Sequence, residues 1–213
     1  MTPDGSTRKP GLSRESLVRA ALAIVDREGL PRLSMRRLGA ELGVDAMAAY
    51  RHFSDKEALL DGVVEAVVSE VDVATDASLP WTEQVRQLAR AYRFALLAHP
   101  ATAPLIASRP LATPGSLRMT ERALQLMADA GVAPHRAIVA VNTIGILITG
   151  IVVVETSSAH PSEDARRQLD TLAALSPSEF PQLGALVASG GIVATYDEMV
   201  EAGLSAIIGA LRP

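Results

Sequence analysis

The 213-residue sequence contains no cysteine, which excludes a disulfide framework and any thiolate metal site. Aromatic residues make up only 3 % of it, against 48 % hydrophobic residues overall. A core with so few rings is assembled from Ala, Val, Leu and Ile, which favours closely packed helices over a sandwich or barrel. The opening stretch, "MTPDGSTRKPGLSRE", has no apolar run and does not read as a secretory signal, so a cytoplasmic protein is expected. Strand alternation, hairpin dipeptides and internal repeats are missing as well. So are the G-x-S-x-G, P-loop and G-x-G-x-x-G patterns. The four histidines, at 52, 99, 135 and 160, show no metal-ligand spacing. The expectation is therefore no catalytic cluster, no cofactor and no metal.

What is present begins with an asymmetry of charge. Net charge is −4, yet residues 1–57 hold ten Lys/Arg and eight Asp/Glu, while the remainder holds ten and sixteen. A basic first quarter on an acidic remainder fits a small DNA-reading head on a larger body.

Helix boundaries are legible from capping chemistry. Ser13 caps a helix over about Arg14 to Glu28, stopped by Gly29, and Ser34 caps a second over Met35 to Leu42, stopped by Gly43. A short third covers Asp45 to His52. Ser54 and Glu57 form a capping box for a fourth, which ends near Val71 to Thr75. Trp81 or Thr82 opens a fifth that stops at His99-Pro100, and the proline-punctuated stretch after it holds only a short helix. Leu117 to Ala130 is helical, and a last helix spans Ile192 to Leu211. Residues 156–191 read as a mobile flank around one amphipathic stretch, Glu163 to Leu175, with Gly190-Gly191 as a turn.

Residues 137–154, "AIVAVNTIGILITGIVVV", carry no charge. A membrane span is one reading. Asn142, Thr143, Gly145, Thr149 and Gly150 interrupt the run, and it has no basic flank, so burial in a core or subunit interface is preferred.

The stretch that carries function is Leu38-Gly39-x-x-Leu42-Gly43-Val44. Gly43 supplies a left-handed corner, Gly39 lets two helices cross closely, and Leu38, Leu42 and Val44 fill the angle, as in a helix-turn-helix. Around it stand Arg36, Arg37, Tyr50, Arg51, His52 and Lys56, side chains suited to phosphates and groove edges.

Residues 14–63, above all "SMRRLGAELGVDAMAAYRHFSDKEALLDGV", resemble the DNA-binding domain of the tetracycline-repressor family of bacterial transcription regulators. The likeness extends through "WTEQVRQLARAYRFALLAHP", "SRP" at 108–110, the apolar helix ending in Glu155 and "GLSAII" at 203–208. It implies an all-α homodimer with a three-helix head over residues 13–60, behind a flexible arm at 1–12. Residues 61–213 would bind ligand and dimerise, pairing helices at 134–155 and 192–211, with Ile207 in that interface. A small molecule in each body would release double-stranded operator DNA. By position, Arg36 would reach the groove, Met47 and Ala48 the base edges, and Tyr50, His52 and Lys56 the phosphates. Arg51 replaces the tryptophan of tetracycline repressors. Tyr92, Arg109 and Pro110 fall at drug-pocket positions, with Glu155 near the family's glutamate and Asn142 on the lining stretch 138–151. Leu105 and Leu88 stand where the metal-ligating histidine and the drug-gripping asparagine would be. A hydrophobic effector bound without magnesium is expected instead. The alternative from another class is an all-helical small-molecule binding protein whose helical corner is merely structural.

Overall fold

The computed structural model describes residues 12–72, 74–109, 113–157, 161–176, 178–189 and 194–211, and every regular element among them is helical. α1 (Arg14–Glu28) begins at a reciprocal capping box between Ser13 and Ser16 and ends at Gly29. α2 (Met35–Leu42) is capped by Ser34, whose hydroxyl accepts from the Arg37 N–H. α3 (Ala46–Tyr50) is shorter than its sequence signal, because Asp45 lies outside it as the cap and accepts from the Met47 N–H. α4 (Lys56–Ser69) is capped by Asp55 rather than Ser54. Asp55 accepts from the Ala58 N–H at 2.8 Å, while the Ser54 hydroxyl donates to Asp55.

α4 joins the two parts of the molecule. Leu59 and Leu60 complete the small core of α1 to α3, and Val63, Val64, Val67 and Val68 continue it towards the body. α5 (Trp81–Ala98), α6 (Ala103–Ala107), α7 (Pro114–Asp129), α8 (Pro134–Ser157) and α11 (Tyr196–Ala210) form that body. α7 starts three residues before Leu117, since Thr113 and Ser116 make a capping box and Pro114 fits the first turn. Its N-terminus docks on α4, where the Gly115 N–H donates to Glu65 at 2.8 Å.

α8 lies at the centre, against α5, α6, α7 and α11. Ile144, Ile148 and Val152 are buried along its inner side, whereas Val139, Ile146 and Val154 are exposed. The run is thus buried on one side, not all round. Gly203 allows α11 to approach, because a Cβ there would collide with Leu147 of α8. Ile207 packs partly buried against the chain's own core.

The stretch read as a flank holds two helices, α9 (Pro161–Ala173) and α10 (Pro181–Ala188), which pack on each other. α10 escaped the sequence reading because its eight residues are largely apolar and have no periodic contrast. Ile192 and Gly190-Gly191 lie outside the described residues, as does the arm through residue 11. α11 begins at Tyr196, where Thr195 and Glu198 form a capping box.

Candidate DNA-reading surface and effector cavity

The corner between α2 and α3 is tight for reasons visible atom by atom. Gly43 adopts φ 66, ψ 33, a left-handed conformation that side chains disfavour. The Val44 N–H donates to the Gly39 carbonyl at 2.9 Å. A Cβ on Gly39 would sit 2.8 Å from the Val44 oxygen and 3.1 Å from the Ala46 nitrogen. Glycine is therefore required where the chain turns back. Leu38 and Ala49 are fully buried, and Leu42 packs against the same core.

This corner turns α3 outward. Met47 is 66 % exposed and Tyr50 44 %, while Ala49 on the opposite side is buried. Ala48 is half-buried, Arg51 is exposed, and His52 and Lys56 are half-buried beside them. Phe53 anchors the segment from below at 2 % exposure. The Arg14 guanidinium stacks on the Phe53 ring, 4.1 Å from its centroid, and donates to the His52 carbonyl at 3.0 Å.

Two neighbouring arginines on α2 have different fates. Arg37 pairs with Glu28 at 2.6 Å and Glu41 at 2.7 Å, and Arg27 bridges the same two carboxylates. Hydrogen bonds from Arg37 and Arg27 hold the Glu28 carboxyl down at about 2, so this network ties α1 to α2. Arg36 is exposed and, like Tyr50, Arg51 and Lys56, has no side-chain partner among the described residues.

In the body, α5, α7 and α8 line a cavity of about 40 Å³. Its walls are Val85, Leu88, Ala89 and Tyr92 of α5, Met119, Ala123 and Met127 of α7, and Val141, Ile144 and Gly145 of α8. Tyr92 is 2 % exposed, and its hydroxyl lies 2.9 Å from Thr149 Oγ1. Burial raises the Tyr92 pKa above its ordinary value, keeping the phenol neutral. Thr143 and Thr156 bond back to carbonyls of their own helix, whereas Thr149 turns its hydroxyl to α5.

Three expected pocket residues lie elsewhere. Asn142 is on the exposed side of α8, because two residues of helix, about 200° of turn, separate it from Ile144 of the cavity wall. Arg109, just beyond α6, ion-pairs with Glu57 and Asp61 of α4. Glu155 accepts from Arg93 at 2.8 Å, and Arg93 also reaches Asp197 of α11. Pro110 is outside the described residues. Val141, Ile144 and Gly145 lie in the expected lining stretch 138–151, whereas Met119, Ala123 and Met127 of α7 were missed. Their signal is the spacing 119, 123, 127.

The family model described as tetracyclin repressor-like, C-terminal domain, matches residues 76–212, and that of bacterial regulatory proteins, tetR family, matches residues 17–63. The chain belongs to the tetracycline-repressor family. Tetracycline repressor protein class C of Escherichia coli is 32 % identical over 94 % of this chain and 91 % of its own length. Among solved structures, Streptomyces coelicolor ActR in complex with actinorhodin superposes with a TM-score of 0.87 at 29 % identity, covering 95 % of this chain and 96 % of that one. BioQ with its double-stranded DNA operator superposes with a TM-score of 0.62 at 31 % identity, over 77 % and 99 %. As a member of the tetracycline-repressor family, the chain is a ligand-responsive, DNA-binding transcriptional regulator, and its relatives are regulators rather than enzymes.

Proposed function

We propose that the chain acts in the cytoplasm as a homodimeric repressor, with residues 13–60 reading a palindromic operator and residues 61–213 pairing the subunits and binding an uncharged organic effector. The observation that carries the DNA reading is the outer side of α3. Met47 and Ala48 face base edges there, and the unpartnered Arg36, Tyr50, Arg51 and Lys56, with His52, surround them. Such a rim positions a helix on phosphates while its small and apolar side chains meet the bases.

A second copy is the occupant that suits the outer side of α8. By length and composition this helix could cross a membrane. However, Ile144, Ile148 and Val152 are already committed to the core, which leaves the narrow stripe of Val139, Ile146 and Val154. Met199 and the small residues Ala202, Ala206 and Gly209 of α11 extend it. Two such surfaces related by a two-fold axis are self-complementary.

The effector site is the apolar cavity. At about 40 Å³ it is far smaller than an organic effector, so a ligand must part α5, α7 and α8, and the unbranched Met119 and Met127 are suited to repacking. Its walls offer no carboxylate or imidazole to a metal, which favours a metal-free organic molecule. The relative ActR is solved in complex with actinorhodin. A gel-shift assay with the DNA upstream of the chain's own gene tests the reading. A discrete complex that survives excess unrelated duplex is expected. Equal competition by any duplex would favour a binding protein without DNA recognition.

A further inference from the structure

His99 closes α5, and its ring lies between two carboxylates from other elements. Nδ1 is 2.8 Å from Oδ2 of Asp26 on α1, and Nε2 is 3.1 Å from a carboxylate oxygen of Glu70, the C-cap of α4. A neutral imidazole has one N–H and presents a lone pair at its other nitrogen. It can therefore satisfy one carboxylate and must repel the other. Only the imidazolium donates to both. The His99 side chain is 16 % exposed, so water only partly replaces a lost contact.

Among the described residues no other charge competes for the ring. Asp26 faces it from α1 and Glu70 from the end of α4, and these are its electrostatic neighbours. Arg27, next to Asp26, is engaged with Glu28 and Glu41. The 3₁₀ turn Pro100–Thr102 has no ionisable side chain, and the Thr102 hydroxyl donates to the His99 carbonyl rather than to the ring. α6 has no ionisable group, and those of α8 are at its two ends, at His135, Arg136 and Glu155.

We propose that His99 is a proton-operated clasp between the effector body and the DNA-reading head, closed as the imidazolium and open as the neutral ring. Its chemistry stands on this geometry alone, and its consequence for operator binding rests on the regulator reading. Burial by itself would lower the pKa of His99. The two carboxylates outweigh burial, and the net direction is upward. The sign of the linkage follows. The clasp contributes fully below about pH 6.5, the ordinary histidine value, and its contribution fades as pH rises through the raised folded-state value. Opening frees α1 and the end of α4 from α5, so the placement of the head on the body becomes looser in mildly alkaline conditions.

The test uses the full chain. The four histidine rings are titrated by NMR, with the His99 signal assigned by its loss in His99→Gln. The His99 signal should titrate above the ordinary value and fall in Asp26→Asn, a milder change that guards against misfolding of the first variant. Hydrogen exchange in α1 and the end of α4, corrected for intrinsic pH dependence, should rise between about pH 6 and pH 8.5 in wild type and stay level in His99→Gln. Operator affinity should change over that range by about threefold more in wild type than in His99→Gln, a comparison that cancels what the two chains share. A His99 that titrates at or below the ordinary value, or matching exchange profiles in wild type and His99→Gln, would overturn the clasp. Failure to bind any operator would overturn the regulator reading, while the ring titration still decides the clasp.

Discussion

Arg109, immediately after α6, is ion-paired with Asp61 on α4, and the same guanidinium reaches Glu57 one turn earlier. The body thus holds the element that supports α3. α6 packs on α8, and α8 forms one wall of the cavity, so the contact lies on a continuous path from effector to head.

Replacement of Arg109 should therefore affect coupling more than stability. Glu57 and Asp61 are well exposed, and pairs of that kind contribute about 1 kcal/mol or less. Arg109→Ala is expected to melt within a few degrees of wild type and to bind operator normally. A ligand that releases wild type from DNA should release the variant less completely, by about 1–2 kcal/mol of coupling. Calorimetry and a release titration measure the two quantities. Undiminished release would remove Arg109 from the path.

Arg37 of α2 and the lysine opening α4 should separate cleanly. Lys56→Ala is expected to weaken binding to all DNA sequences alike and to flatten the dependence of log K on log salt by about one unit. Arg37→Ala, which breaks the network with Glu28 and Glu41, should lower head stability by more than it changes the salt slope. An unaltered slope in Lys56→Ala would take that side chain off the phosphate surface.

Ile146 is 75 % exposed on α8, so a charge there costs the isolated chain nothing in burial. Ile146→Asp is expected to keep the wild-type helix content yet sediment as a monomer and lose tight binding to a palindrome. Any effect on assembly must come from a partner that buries the site, since an unpaired charge in an interface costs several kcal/mol, on the order of the desolvation penalty. Wild-type chain that is itself monomeric at micromolar concentration would contradict the proposed dimer.

How much of this was legible in the sequence differs between the two parts. Ser13, Gly29, Ser34 and Gly43 marked α1 and α2 to the residue, because caps and left-handed corners are local chemistry. Gly39 was legible for the same reason: its neighbours lie five and seven residues on. The cavity was not. Arg109 and Glu155 match pocket positions of the resemblance, yet each has an ion-pair partner far away in sequence, on α4 and on α5. Nor does the sequence around His99 indicate Asp26 and Glu70, 73 and 29 residues away. Long-range pairing is set by packing, and packing has no local signature.

The wall of the cavity predicts what will not bind. Leu88 lines it, Leu105 is buried in α6, and neither can take the place of an asparagine or a histidine ligand. Trp81, the sole tryptophan, begins α5 one turn before Val85 and reports on that wall. Tetracycline with magnesium should leave Trp81 emission and DNA binding unchanged at about micromolar drug, a range in which a hard cation without its ligands binds weakly. Tight, magnesium-dependent quenching with DNA release would show that other residues complete a metal site.

If α3 reads a defined operator through two heads of a dimer, selection of bound sites from random duplex DNA should recover that operator. A near-palindrome whose half-sites are about one helical turn apart, roughly 34–36 Å, should be enriched and occupied by two chains. Enriched sequences without two-fold symmetry, or no enrichment at all, would contradict that reading.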